Sequence, residues 1–211
     1  MLFSDRFDAA YKLMHCLKNY KQHEGVVYAV PGGGVPVGYY LAKDYDLPME
    51  LLMAKRIRHP DNNKFSIGAV NLNDYFVNKK TDVSESYIKR QVASIRKTLN
   101  ERQKQFVNGH AESDVKNKIV FIVDDGAATG NTLLSAIQAI REKQPKKIVI
   151  AVPVAPEITL AMLQKHADDV ICFHPIKNVV PVENNYLYYP KVSDNEIYQL
   201  FGSANMDKKV A

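Results

Sequence analysis

The run from Lys118 to Thr132, Lys-Ile-Val-Phe-Ile-Val-Asp-Asp-Gly-Ala-Ala-Thr-Gly-Asn-Thr, constrains the fold more than any other stretch of this chain. Ile119 to Val123 is continuously apolar and rich in β-branched residues, the pattern of a strand buried on both faces. It stops abruptly at two carboxylates, Asp124 and Asp125. Gly126 to Thr132 then supplies small residues and hydroxyls. From Leu133 onward the apolar positions Leu133, Leu134, Ala136, Ile137 and Ile140 take helical spacing. Where a strand turns sharply into a helix, free backbone N–H groups and the positive end of the helix dipole converge, which makes an anion site. Gly126 and Gly130 let the backbone curl around a phosphate, and the Thr129 and Thr132 hydroxyls can donate to it. The acidic pair beside that cradle repels phosphate, but it suits sugar hydroxyls or a hydrated Mg²⁺ carried by a ligand. Cradle and acids together imply a phosphorylated sugar.

The remaining segments alternate between strand and helix. Ser4 is placed to cap a first helix whose apolar positions Phe7, Tyr11, Met14 and Leu17 would face the core. Val26 to Val30 reads as a buried strand running into Pro31-Gly32-Gly33-Gly34-Val35-Pro36, with a helix from Val37 to about Tyr45. Three successive glycines at the carboxyl end of a strand let the backbone approach a ligand closely. A dinucleotide-binding Gly-x-Gly-x-x-Gly fails here, because Val37 holds the last glycine position. Met49 to Ala54 reads as the next strand, followed by a basic run, Lys55-Arg56-Ile57-Arg58-His59, and a polar loop. Cations there suit a pyrophosphate; Arg58 and His59 fit a solvated loop equally well. Ser66 to Leu72 and Tyr75 to Val77 form a candidate hairpin around Asn73-Asp74. Thr81 to Gly109 is mostly one helix, with Asp82 and Glu85 as a capping pair and Ile88, Val92, Ile95, Leu99 and Phe106 along one face. Strand Lys147 to Val152, helix Pro156 to His166 and strand Asp169 to Phe173 follow. An irregular tail, His174 to Phe201, then carries Tyr186, Tyr188 and Tyr189 and ends in a short helix after Ser193-Asp194. This alternation predicts an α/β domain, a parallel sheet with helices on both faces.

The strand-Asp-Asp-Gly-Ala-Ala-Thr-Gly-Asn-Thr run closely resembles the phosphoribosyl pyrophosphate (PRPP) motif of type I phosphoribosyltransferases. A P-loop fits less well, since Asn131 stands where its lysine belongs. A phosphoryl-receiver domain would place such acids on its first strand. The resemblance spans essentially the whole chain. The Pro-Gly-Gly-Gly-Val-Pro-Val, Ile-Gly-Ala-Val, Ala-Val-Pro-Val-Ala-Pro and Val-Ser-Asp-Asn-Glu segments look like a bacterial branch whose acceptor is not generally assigned.

It implies one phosphoribosyltransferase-type, Rossmann-like domain over residues 1–211. That domain would carry a flexible loop about 56–80, an added amphipathic helix about 84–108 and a small hood built from about 174–201. It implies that Asp124 and Asp125 hold the ribose hydroxyls, and that Gly126, Ala127, Ala128, Thr129, Gly130, Asn131 and Thr132 hold the 5′-phosphate. Gly32, Gly33, Gly34, Lys55 and Arg56 would take the pyrophosphate, with Lys55 and Arg56 joining the acidic pair as catalytic residues. Mg²⁺ is the implied cofactor, carried by PRPP rather than held directly, with a water bridge to Asp124 and Asp125 as its expected protein contact.

The implied activity is transfer of a 5-phosphoribosyl group from PRPP to a nitrogen nucleophile, expected to be a nucleobase, with release of pyrophosphate. The alternative is a PRPP- or nucleotide-sensing regulator on the same fold. Salvage enzymes for 6-oxopurines carry an acid where this chain has Ala128, and no hood signature for adenine, uracil or orotate is recognisable. The tail is expected to contribute to a hood over the base, with plain tail packing an equal alternative for any single tyrosine. Exchanging both acids for Asn is expected to abolish the response to PRPP and leave the unliganded melt unchanged, and Gly33→Val to weaken PRPP binding.

Net charge of +5 and a pI near 9.0 suit an anionic substrate. The Lys/Arg-rich face of the 81–109 helix is diluted by Gln91, Glu101, Gln103 and Gln105 and has no interleaved aromatics, so nucleic acid is not expected. Cys16 and Cys172 share no metal or disulfide spacing. With no apolar run of membrane-spanning length and a charged start, a cytoplasmic protein is expected, without membrane contact and as a homodimer.

Overall fold

The computed structural model describes residues 2–62, 66–72, 74–77, 81–106 and 110–206. Expectations touching Asn63, Lys64, Asn73, residues 78–80 and residues 107–109 fall outside these. In chain order the elements are α1 (Arg6–Cys16), β1 (Gly25–Ala29), α2 (Gly34–Asp44), β2 (Met49–Leu51), β3 (Ala54–Arg58), β4 (Ser66–Asn71) and β5 (Tyr75–Val77). There follow α3 (Glu85–Phe106), β6 (Ile119–Val123), α4 (Asn131–Arg141), β7 (Lys147–Pro156), α5 (Glu157–Leu163), β8 (Asp169–Ile176) and α6 (Asp194–Asn205).

The central sheet has five parallel strands in the order β2-β1-β6-β7-β8. Side-chain alternation divides the core in two. Val27, Ala29, Phe121 and Val123 face α1, α2 and α6, whereas Val26, Tyr28, Val120 and Ile122 face α4 and α5. All of β1 and β6 is buried, as their continuous apolar runs require. From β1 the chain proceeds outward to β2; from β6 it proceeds the other way, to β7 and β8. The two strands pair directly, Ala29 opposite Val123, so the loops leaving them start side by side and diverge to opposite faces. Such a switch point opens a crevice at the carboxyl ends of the strands.

Several elements differ from the sequence expectation. Asp5, not Ser4, caps α1, its side chain accepting from the Asp8 N–H. The inward face of α1 is Arg6, Ala9, Ala10 and Leu13, while Phe7 and Tyr11 are each 54% exposed. Small alanines allow close packing on α2, and Phe7 is left to lie edge-on to Tyr40. The second strand of the main sheet ends at Leu51. At Ala54 the chain enters a separate antiparallel sheet, β3-β4-β5, in which β4 and β5 are the expected hairpin and β3 is a strand where a polar loop was expected. Lys55 and Arg56 therefore lie within a strand, not after one. Ser84 caps α3 by accepting from Tyr87 N–H at 3.4 Å, and Asp82 pairs instead with His59 at 3.3 Å. Val92, Ile95, Leu99 and Phe106 are buried as their spacing demands. In the tail a 3₁₀ turn, Val182–Asn185, precedes α6, which packs beside α2 and β2. Among the described residues no helix is long and apolar enough to cross a membrane.

Candidate active site at the β1–β6 switch point

Adjacent residues at a strand end point to opposite faces, and this gives the two acids different partners although their carboxyl groups still meet. Asp124 is half-buried, with the Arg56 charge of β3 near enough to favour its ionised form. Asp125 is buried and turned toward α1. Its Oδ2 accepts from Arg6 Nε at 2.8 Å and from the Tyr189 hydroxyl at 2.7 Å, while its backbone carbonyl accepts from the Tyr186 hydroxyl at 2.6 Å. Arg6 also donates to the Pro190 carbonyl at 2.8 Å and stacks 3.9 Å above the Tyr189 ring. The Asp125 N–H donates to Asp124 Oδ1 at 2.9 Å. Each carboxylate thus has one oxygen committed. Outside the pair, no described residue donates to Asp124 Oδ2 or Asp125 Oδ1, and the two carboxyl groups also meet each other side chain to side chain. Burial, and then the neighbouring Asp125 charge, lift the Asp124 pKa well above the usual carboxylate value, with Arg56 opposing.

The glycine loop packs directly on this pair. A Cβ at Gly33 would lie 1.6 Å from Asp125 Oδ2, and one at Gly34 would lie 2.8 Å from the Val123 carbonyl. These glycines are demanded by the acids themselves, so Gly33→Val tests folding before it tests ligand binding. Gly32, by contrast, has φ +110° and open space around its missing side chain. Gly33 is the N-cap of α2. Gly32 and Gly33 line a cleft of about 780 Å³ together with Arg6, Tyr189, Arg102 and Lys191.

On the other side of the pair, Gly130 takes φ +71° as the N-cap of α4. A Cβ there would strike Met162 and Thr159 of α5, at 2.8 and 2.9 Å. Ala127 N–H is used by the Val154 carbonyl at 3.0 Å, and the Ala128 carbonyl accepts from the Thr159 hydroxyl at 2.7 Å. The N–H groups of Ala128, Thr129, Gly130, Asn131 and Thr132, and the two threonine hydroxyls, have no acceptor among the described residues. A pinned loop with unused donors at the start of an 11-residue helix is suited to an anion. The Asn131 amide is spent elsewhere, donating to the Ser66 carbonyl and hydroxyl of β4 at 3.2 and 3.3 Å.

A family model described as the phosphoribosyl transferase domain matches residues 7–187, a span that contains both loops and the acidic pair. The chain belongs to this family. A Mycobacterium tuberculosis protein provisionally named a phosphoribosyl transferase is 30% identical over 98% of the chain. The chain spans about half the length of that curated relative, 48%. The Thermus thermophilus protein TT1426 has a similar structure, with TM-score 0.80 and 26% identity over 95% of this chain and 98% of that one. A purine phosphoribosyltransferase from Pyrococcus horikoshii shares the fold at TM-score 0.50 and 17% identity, over 90% and 92% of the two chains.

Within this phosphoribosyl transferase domain, the residues picked out by sequence fare unequally. The structure sets Gly33 against Asp125 and Gly34 against Asp124, with the 126–132 loop leaving the same strand end, while Gly32 and Gly33 line the adjoining cleft. Arg56 bears on Asp124, but Lys55, its neighbour on the exposed strand β3, approaches neither acid among the described residues. Of the tail tyrosines, Tyr186 is 2% exposed in a small core with Phe3, Tyr189 is bound to Asp125, and Tyr188 is 66% exposed. Sequence reasoning missed Arg6 entirely. Its signal was present: Arg6, Ala9, Ala10, Leu13 and Leu17 form a helical stripe, and a cation on an inward stripe needs an anion.

Proposed function

We propose that the protein transfers a 5-phosphoribosyl group from PRPP to a nitrogen nucleophile of a nucleobase, releasing pyrophosphate. One observation supports this reading: at the β1–β6 switch point, two carboxyl groups in contact with each other, each with one oxygen that no other described residue donates to, stand between a pinned loop of free N–H donors and a glycine-rich helix start. In this reading the ribose hydroxyls donate to Asp124 Oδ2 and Asp125 Oδ1, and the 5′-phosphate rests on the Ala128–Thr132 N–H groups with the Thr129 and Thr132 hydroxyls. Pyrophosphate lies along Gly32–Gly34, with Arg56 as the nearest cation. As the C1–O bond to pyrophosphate breaks, positive charge grows on the ribose, and the nearby carboxylates favour that charge.

The described residues hold no group of three or more His, Cys, Asp or Glu side chains that could hold an ion. In this reading Mg²⁺ arrives with PRPP and is reached through water from the acidic pair. Once bound, it would neutralise charge on the departing pyrophosphate. The Ala128 position offers no carboxylate to manage a base proton, which argues against 6-oxopurines as acceptors. The test is incubation with PRPP and Mg²⁺ across purines, pyrimidines and aromatic amines, measuring base-dependent pyrophosphate and the ribosylated product. Tight PRPP binding without turnover on any acceptor would replace the transferase with a sensor; no PRPP binding would refute both.

A further inference from the structure

The segment before α1 and the segment that follows the 3₁₀ turn, ahead of α6, are zipped together beside the acidic pair. Phe3 pairs with Tyr186 in a parallel bridge, the Leu187 N–H donates to the Phe3 carbonyl at 2.8 Å, and the Tyr188 N–H donates to the Ser4 carbonyl at 2.9 Å. This pairing sets Arg6 at the start of α1 and Tyr189 in the tail on the same oxygen, Asp125 Oδ2. The backbone of Gly33 closes over that carboxylate, so it has little freedom to turn.

We propose that Arg6 and Tyr189 are positioning residues for the sugar: by fixing Asp125 through Oδ2 they present Oδ1 as the oxygen that receives a ribose hydroxyl. The inference rests on the reading of the acidic pair as a ribose site. Two adjacent carboxylates sharing one ligand repel each other, and either could turn away or take up a proton. Arg6 cancels the charge of one of them, and its planar fork, gripped between Asp125, the Pro190 carbonyl and the Tyr189 ring, fixes direction as well as charge. Tyr189 adds a second, neutral donor. Burial, and then the Asp125 charge, keep its phenol protonated and able to donate. The ionisable groups facing Asp125 include Arg6, Tyr186, Tyr189 and Asp124, and Arg56 faces Asp124. Arg102 and Lys191 line the same cleft, but among the described residues Arg6 is the cation hydrogen-bonded to Asp125.

A role in folding alone and a positioning role separate by ligand. Dissociation constants of the folded proteins would be measured by calorimetry, well below their melting temperatures, for ribose 5-phosphate, for PRPP with Mg²⁺ and for inorganic pyrophosphate with Mg²⁺. Arg6→Gln should weaken both ribose ligands by about ten- to a hundredfold, the worth of a hydrogen bond to a charged group, and leave pyrophosphate as in the parent. Arg6→Lys, which keeps charge without the fork, should recover part of the loss. Tyr189→Phe removes one donor and keeps the ring, so it should act in the same direction more weakly, and it preserves the test if Arg6→Gln fails to fold. Lower melting temperatures with unchanged ribose affinities, or equal losses for pyrophosphate and ribose ligands, would overturn the proposal. Failure of the parent to bind ribose 5-phosphate or PRPP would instead refute the ribose site itself, before any variant is compared.

Discussion

Replacing Asp125 by Asn should destabilise the unliganded protein substantially, against the sequence expectation that exchanging both acids would leave the melt unchanged. Arg6 is 8% exposed and Asp125 5%, and they meet at 2.8 Å, so the substitution strands a cation out of water. Breaking a buried ion pair by removing one partner costs roughly 3–5 kcal/mol. The Asn oxygen can still accept from Arg6 and Tyr189, which puts the cost near the lower end, about 3 kcal/mol. For a chain of this size, each kcal/mol lowers the melting temperature by about 2–4 °C, so a fall of about 6–12 °C is expected. Thermal and urea melts at pH 7 would measure it, alongside Arg6→Met and the double variant. Removing the stranded cation should return part of the loss, so the double variant should be more stable than the sum of the single effects predicts. If Asp125→Asn melts within about 2 °C of the parent, or the effects of the two substitutions simply add, then the Arg6–Asp125 contact is not the desolvated pair described above.

Asp124→Asn should behave oppositely. Its folded pKa lies above the ordinary 3.8, so the native state keeps a proton that the unfolded chain loses, and parent stability falls as pH rises from about 3.8 through the raised folded value. The Asn variant should therefore gain on the parent across that window, show no such gain below it, and respond less to PRPP; melts from pH 3 to 8 would check this. Gly33→Ala should also lower the unliganded melt, because its Cβ must displace the Asp125 carboxylate, and it should cost less in an Asp125→Ala background. PRPP with Mg²⁺ at a hundredfold excess over Kd should stabilise the parent by about 2.7 kcal/mol, read as a rise in melting temperature. Hypoxanthine and guanine should be poor acceptors, and efficient turnover of either would refute the significance of Ala128.

The central motif was legible because its local signals agree: an apolar run, two acids, small residues and an amphipathic helix follow one another without a break. The change of sheet after Leu51 was not, because Leu51-Leu52-Met53-Ala54 reads as one apolar strand. Nothing local shows that Leu52 N–H completes the pairing with the Ala29 carbonyl before the chain departs. The first helix misled differently. Phe7 and Tyr11 dominate a hydrophobic periodicity, yet α1 turns Ala10 toward the core it shares with α2 and Ala9 toward Phe3, Val154 and Tyr186. That rotation carried Arg6 from an unremarkable surface position to the buried partner of Asp125.

The tail tyrosines drew notice as aromatic rings, since a sequence cannot show that Tyr186 and Tyr189 return across 61 and 64 residues to one aspartate. The motif makes the two acids look equivalent, and the fold makes them unequal. Strand alternation turns Asp124 toward the crevice and Arg56, and turns Asp125 into the seam where the segment before α1 meets the segment ahead of α6. One acid is thereby left able to exchange a proton and the other is fixed in place. A pair in which both were free would repel itself in the absence of ligand, and a pair in which both were fixed could not adapt to one.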